Sequence, residues 1–390
     1  MMPEHIDHVL PDVLSDKVGT ATIRVVGVGG GGQNAVTRMY REPIPGADYI
    51  IVNTDKQAIE LSNVPTRLRV GDTTARGLGV GGDPTRGRQC HEEDREAIKK
   101  QLVGSDLVFV AAGMGGGTGT GGAPVVAEVA QEVGALTIGV VTKPFSFEGS
   151  HRMRKALEGI EELRDKVDTL IVIPNDRLLA ISDENLTMDN AFRLADNVLR
   201  QGVQSIAELI LVPGEINLDF ADVRAVMTNA GPAWMAIGKG SGPDRAIEAA
   251  EEAINSPLLE VDIDGATGVL FNITGGTDLT LEEVHRASEV ISSRVHPDAN
   301  IIFGTVTDPT LENEIKLTVI ATGFKTADAQ SEVDELARMA IEDPSLMAIP
   351  PFLRHHPAAR RRYRNGGLIR GQERGENAEE RSGATFAADD

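Results

Sequence analysis

Gly113-Met114-Gly115-Gly116-Gly117-Thr118-Gly119-Thr120-Gly121-Gly122 follows directly on the apolar run 106–112 and leads into a helical pattern over 123–133. A strand that enters a glycine-rich turn and leaves as a helix offers backbone N–H groups to an anion. The missing side chains let the main chain come close to it. The same arrangement stands near the start of the chain. There the strand pattern 23–28 enters Gly27-Val28-Gly29-Gly30-Gly31-Gly32-Gln33-Asn34-Ala35-Val36. Taken alone, that loop matches G-x-G-x-x-G and says little. Two such turns on one sheet edge can wrap a long polyphosphate from two sides, where a dinucleotide enzyme normally needs one. A third stretch, Gly77-Leu78-Gly79-Val80-Gly81-Gly82-Asp83, is suited to closing over the terminal phosphate. No lysine follows either loop in the G-x-x-x-x-G-K-[ST] arrangement, so the chain is not a P-loop protein.

The surrounding pattern predicts an α/β fold. Strand-like runs at 23–28, 49–53, 106–112, 136–142 and 170–174 alternate with helical patterns near 33–40, 92–102, 123–133 and 149–165. Strands that are nearly all apolar, interleaved with helices, imply a buried parallel sheet of Rossmann-like type. Right-handed crossovers then bring the loops after each strand to one edge. A long helical pattern follows at 187–211, with Phe192, Ala195, Leu199, Val203, Ile206 and Ile210 at steps of three or four. It reads as a spine between two domains. A smaller α/β unit occupies about 222–324, with strands near 234–238, 268–274, 300–306 and 315–321. Its helices lie near 243–255 and 281–293, the second opened by a Thr280/Glu283 capping box. The expected organisation is an arm at 1–20, a nucleotide domain at 21–186, the central helix 187–211, a second domain at 212–325 and a disordered linker and tail at 326–390.

Composition narrows the class. The 390 residues are 41% hydrophobic and 25% charged, the range of a soluble globular protein. No run approaches the roughly 18 apolar residues of a membrane span, and residues 1–18 lack the basic-then-apolar pattern of a signal peptide. A single cysteine, Cys90, excludes a disulfide framework and a cysteine-based zinc site. These features predict a cytoplasmic protein. A net charge of −21 argues against nonspecific nucleic-acid binding. Cys90, Met114 and Trp234 read as packing residues.

Gly116-Gly117-Thr118-Gly119-Thr120-Gly121 resembles the tubulin signature loop. With 29–34, Asn53-Thr54-Asp55, Thr142-Lys143-Pro144-Phe145 and Asn217-Leu218-Asp219-Phe220-Ala221-Asp222, the chain resembles the FtsZ family of tubulin-like, cell-division GTPases over about residues 20–325. The resemblance implies a GTPase domain, a central helix, a C-terminal GTPase-activating domain and GTP or GDP bound where filament subunits meet. Gly30, Gly31, Gly32 and Asn34 match the first nucleotide loop, with Gln33 counted among them, and Gly81 belongs to the third stretch. Gly117, Thr118 and Gly119 match the phosphate cradle. Glu148 and Arg152 match a sugar- and nucleotide-contacting pair, and Phe192 and Asp196 a guanine-facing pair. An aromatic ring can stack on a base, and a carboxylate can accept from guanine N1 and N2.

Asp219 and Asp222 are three apart, so they share one face at a helix start, where acids also favour the helix dipole. The long helix carries their loop far from the glycine turns. The resemblance implies that Asn217, Asp219 and Asp222 complete the active site of a neighbouring subunit, giving head-to-tail homopolymers. Mg2+ is expected on the phosphates, with no protein ligand assigned. Ile349-Pro350-Pro351-Phe352-Leu353-Arg354 resembles the family's peptide for membrane-tethering adaptors. The implied site of action is the mid-cell division ring. Two other readings remain: a tubulin-like scaffold with weak hydrolysis, and a dinucleotide oxidoreductase using Gly27–Gly32 with Asp55.

Overall fold

The computed structural model describes residues 21–179, 187–212, 214–216, 218–259 and 263–324. The arm 1–20, Asn217 and the tail with its 349–354 peptide lie outside the described residues. The first part of the chain alternates strands β1 (Ile23–Val28), β2 (Ala47–Asn53), β3 (Thr66–Arg69), β4 (Leu107–Gly113), β5 (Leu136–Lys143) and β6 (Thr169–Pro174) with helices. These helices are α1 (Gly29–Met39), α2 (Lys56–Glu60), α3 (Pro84–Glu93), α4 (Arg95–Leu102), α5 (Thr118–Glu132), α6 (Ser150–Arg164) and α7 (Asn175–Leu178). The long helix α8 (Met188–Leu211) follows, then α9 (Phe220–Met227), β7 (Gly231–Ser241), α10 (Arg245–Ile254), β8 (Gly268–Gly275), α11 (Leu281–Ser292), β9 (Asn300–Thr307) and β10 (Glu314–Thr322).

The strands form one sheet in the order β3-β2-β1-β4-β5-β6-β7-β10-β8-β9. From β3 to β6 every pairing is parallel, as the apolar runs predict. Alternation along β1 sends Ile23 and Val25 to one face, where they pack with α1 and α8. Val26 and Val28 go to the other face, beneath α4, α5 and α6. A third core lies between β8, β10, α10 and α11.

The sequence reading placed a helix between two separate units; the structure also joins them through β7. Its first residues, Gly231–Ala233, run parallel to Thr169–Ile171 of β6. From Trp234 onward it pairs antiparallel with β10. The Gly231-Pro232 start looks like a breaker in sequence, which is why the expected strand began only at 234. Trp234 is buried, with its ring edge-on to Phe324 at 4.5 Å between centroids. Cys90 and Met114 are buried as packing residues.

Helix starts follow side-chain chemistry. Asp55 accepts from the Gln57 and Ala58 amides at α2, and Asp83 from Thr85 and Arg86 at α3, where Pro84 occupies the first turn. Thr187 caps α8, and the Thr280/Glu283 box closes on α11. α1 and α5 begin earlier than their sequence patterns, at Gly29 and Thr118, because their glycines are helical rather than loop residues.

Candidate functional site: the glycine turns and the head of the long helix

The turns after β1 and β4 are packed on each other, main chain against main chain. Gly29 has φ +68, and a Cβ there would lie 2.6 Å from the Gly119 amide nitrogen. A Cβ on Gly31 would lie 3.1 Å from the Gly113 Cα, and one on Gly119 2.8 Å from the Gly113 carbonyl oxygen. Gly32 is closed off by the Ala111 carbonyl. Gly30 and Gly116 differ: an added Cβ at either meets nothing within 4 Å. These two glycines face open space between the starts of α1 and α5, where backbone N–H groups and both helix dipoles favour an anion.

The third glycine stretch lies alongside. A Cβ on Gly117 would lie 2.5 Å from Val80 and 2.8 Å from the Asp83 amide. Gly117 thus admits this stretch rather than facing the open side. Gly81 and Gly82 are exposed at φ +62 and +76, which favours glycine. Lys155 of α6 donates to the Gly82 carbonyl at 2.5 Å and ties the stretch to the opposite wall. Thr118 and Thr54 share a hydrogen bond at 2.7 Å between their hydroxyls. Gln33 is buried and faces inward. Asn53 donates to its carbonyl oxygen at 2.8 Å, and its own amide donates to the Ala58 carbonyl. Asn34 is exposed on α1.

A second cluster sits where α8 begins. Phe192 is 40% exposed and meets the rings of Phe145 and Phe147 edge-on, at 5.5 and 6.4 Å. One turn further along, Asp196 is buried, its Oδ2 3.3 Å from Arg38 Nη2. Burial pushes its carboxyl up to about 6, against the pull of Arg38. Glu148 spends both oxygens within the protein. One accepts from the Phe145 amide at 2.8 Å, and the other pairs with Arg152 Nε at 3.1 Å. Arg152 is half exposed and packs against Gly115, where a Cβ would lie 2.7 Å from its side chain.

Asp219 and Asp222 are not part of this assembly. From Asp196 to Leu211 the helix advances about 22 Å before the loop that bears them. Both acids are exposed, and among the described residues neither side chain has a hydrogen-bond or ion-pair partner. The Asp219 carbonyl accepts from the Asp222 amide at 3.0 Å. Thr305 of β9 holds the loop from below: Ile216 N donates to its hydroxyl at 3.0 Å, and its own amide donates to the Ile216 carbonyl at 3.1 Å.

Three contributors escaped the sequence reading. Thr54 lay in a quoted motif without a role. Arg38 stands four residues after Asn34, a spacing that puts both on one helix face. Lys155 had no sequence signal, because its partner is a backbone carbonyl far along the chain.

Comparisons agree with this geometry. The model of the Tubulin/FtsZ family, GTPase domain, matches residues 22–183, and that of the FtsZ family, C-terminal domain, matches residues 231–325. An FtsZ dimer structure from M. jannaschii is 47% identical, covering 78% of this chain and 88% of that one with a TM-score of 0.76. The chain belongs to the FtsZ family. A mutant FtsZ structure from M. jannaschii, also 47% identical, covers 79% and 92% at a TM-score of 0.77. CetZ2 from Haloferax volcanii, solved as a GTPγS-bound protofilament, shares the fold at 21% identity and a TM-score of 0.69, over 82% of this chain and 98% of that one. As an FtsZ-family GTPase the chain binds GTP and GDP and hydrolyses GTP to GDP and phosphate. The oxidoreductase reading is overturned by the GTPase-domain match. No helix among the described residues is long and apolar enough to cross a membrane.

Proposed function

We propose that this GTPase polymerises head to tail, and that the cytokinetic ring of a dividing cell is built from its filaments. The observation that carries the proposal is the separation of Asp219 and Asp222 from the glycine turns by the length of α8, with both acids exposed and unpaired. The glycine turns would hold the phosphates, with Gly30, Gly31, Gly32, Gly117, Thr118 and Gly119 forming the cradle and Gly81 the flap. Phe192 and Asp196 would take the guanine, and Asn34, Glu148 and Arg152 the sugar side. Gln33 would act from behind, by fixing the end of β2 to α1. Asp219 and Asp222 of the next subunit, with Asn217, would orient a water and accept its proton. The water oxygen bonds to the γ-phosphorus as the bond to the β–γ bridging oxygen breaks, leaving GDP and phosphate.

A contact between unlike faces repeats without closing, which supports a filament. The M. jannaschii FtsZ dimer supports self-association in the family. Among the described residues no three His, Cys, Asp or Glu side chains are placed to hold a metal ion. Mg2+ would therefore ride on the phosphates, where it would neutralise their charge. The 349–354 peptide would tether filaments to a membrane adaptor at mid-cell.

The test mixes two defective proteins. Asp222→Ala should bind GTP but hydrolyse it slowly, because it offers its neighbour an incomplete loop. Gly117→Val should fail to hold GTP while keeping its own acids. Neither should release phosphate alone, and together they should regain part of the activity where light scattering shows mixed filaments. An Asp219→Ala/Asp222→Ala double variant with full phosphate release would end the proposal.

A further inference from the structure

Resting on the reading of Asp196 as the guanine-facing acid, we infer that Arg38 is the positioning residue that keeps this carboxylate ionised and aimed, and so sets the base specificity of the site. The geometry is direct. Arg38 lies in the last turn of α1, which packs against α8, and its Nη2 is 3.3 Å from Asp196 Oδ2. The Asp196 side chain is 12% exposed and that of Arg38 34%. Asn34 stands one turn before Arg38 on α1, and Phe192 one turn before Asp196 on α8. The ion pair thus joins α1 to α8 one turn along each helix from Asn34 and Phe192.

Charge neutrality at this pair decides what the carboxylate does. Guanine offers two donors, N1–H and the N2 amine, and a carboxylate accepts both only when ionised. A protonated acid would present its own O–H to a donor. Burial drives Asp196 toward the protonated form, up to about 6, and Arg38 is the charged group that opposes this.

Among the described residues of α8 and the elements packed on it, the other charges are otherwise engaged. On α8, Arg193 is paired with Asp189 at 2.7 Å, and Arg200 with Asn197 and Gln204. Of the elements packed against α8, β6, β8 and β9 carry no charged residue, and β5 carries only its terminal Lys143. On α7, Asp176 is bonded to Ser146 and Arg177 to the Pro257 carbonyl. The turn beneath Phe192 carries Glu148, already paired with Arg152. A guanidinium is also never deprotonated in the working pH range, so the device does not titrate away from its own side.

The sign of the pH effect follows. Guanine nucleotide binding is full above the Asp196 titration and weakens below it, because binding must then expel a proton. Removing Arg38 moves that titration upward. The experiment measures GDP affinity of the full chain by calorimetry from pH 5.5 to 8.5, for the unchanged protein and for Arg38→Met, Arg38→Lys and Asp196→Asn. GDP avoids turnover, and the ratio of unchanged to Arg38→Met affinity cancels the ionisation of its phosphates. That ratio should stay level at the alkaline end, reach about fivefold at pH 6 and approach about tenfold below it, equivalent to about one unit of displaced titration. Arg38→Lys should flatten it again. A ratio independent of pH would mean that Arg38 only packs, and the inference would fall. Asp196→Asn separates the two claims. If it weakens GDP at least about tenfold while the Arg38→Met ratio is flat, only the role of Arg38 is lost. If it binds GDP like the unchanged protein, the guanine assignment falls and the inference with it.

Discussion

Each glycine of the two turns has its own neighbour, and the neighbour decides what a methyl group would do. Gly119→Ala puts a carbon 2.8 Å from the Gly113 carbonyl, so the turns must separate. It should cost about 1–3 kcal/mol of stability in nucleotide-free protein, read from a urea midpoint. Gly30→Ala meets nothing and sits at a helix start, so its stability should change by less than about 0.5 kcal/mol. If Gly30 faces the phosphates, GDP affinity should nevertheless fall at least about tenfold in calorimetry. Undiminished affinity would place the phosphates elsewhere. The sequence shows that a main chain must come close at these turns, since the eight consecutive glycines and threonines of 115–122 have few other uses. It does not show which chain comes close. The missing side chains of Gly117, Gly121 and Gly122 turn out to make room for α3 and its leading loop. That partner becomes visible only when α3 is folded onto α5.

At the scale of elements, α3 and α5 cross with almost nothing between them. Cβ atoms on Gly121 and Gly122 would strike the Pro84 carbonyl and the His91 ring. His91 is fully buried, and its Nδ1–H donates to the Gly87 carbonyl at 2.8 Å. Burial holds its pKa down to about 4. Between that value and about 6.5 the unfolded chain takes a proton that the folded chain refuses. This contribution is therefore intact above pH 6.5 and lost as pH falls toward 4. From pH 7.5 to 5 it should cost about 2 kcal/mol. In His91→Gln, urea midpoints should fall less steeply over the same range, and parallel profiles would contradict the assignment.

A second element-scale test concerns the acid-bearing loop. Thr305→Val keeps the shape of the side chain but removes the acceptor for Ile216 N. It should cost about 1–3 kcal/mol and slow phosphate release while GDP affinity holds. Loss of GDP affinity to the same degree would show general unfolding instead. Helix and strand periodicity made β1, β4, β5, β6 and α8 legible, because long apolar runs have few alternatives. β3 and α2 are too short to leave a period, and the expected helix at 92–102 covers α4 but only the last two residues of α3, whose sequence carries too few apolar residues to show a helical period.

For the whole molecule, an active site divided between copies, as proposed, would make catalysis depend on association. Phosphate release per subunit should vanish at low protein concentration and rise steeply once scattering appears, while GDP affinity stays constant. A per-subunit rate independent of concentration would argue that one chain suffices. The alternation of strands and helices was readable from the order of their patterns, and the family from its motifs. The continuity of the sheet was not, because Gly231 and Pro232 carry the signature of a turn and pair only in the presence of β6.

That short pairing has a mechanical consequence. Tension along the sheet is shared among the covalent path through α8, the core packed around that helix and the ladder from β6 to β7. On the β6 side only Thr169, Leu170 and Ile171 face Gly231, Pro232 and Ala233, and the proline has no N–H to give. On the other side β7 is zipped to β10 from Trp234 to Ser241. The ladder therefore has a built-in fuse at one known place. Under load the seam beside Pro232 is the weakest place in this ladder, where the fewest hydrogen bonds hold β7.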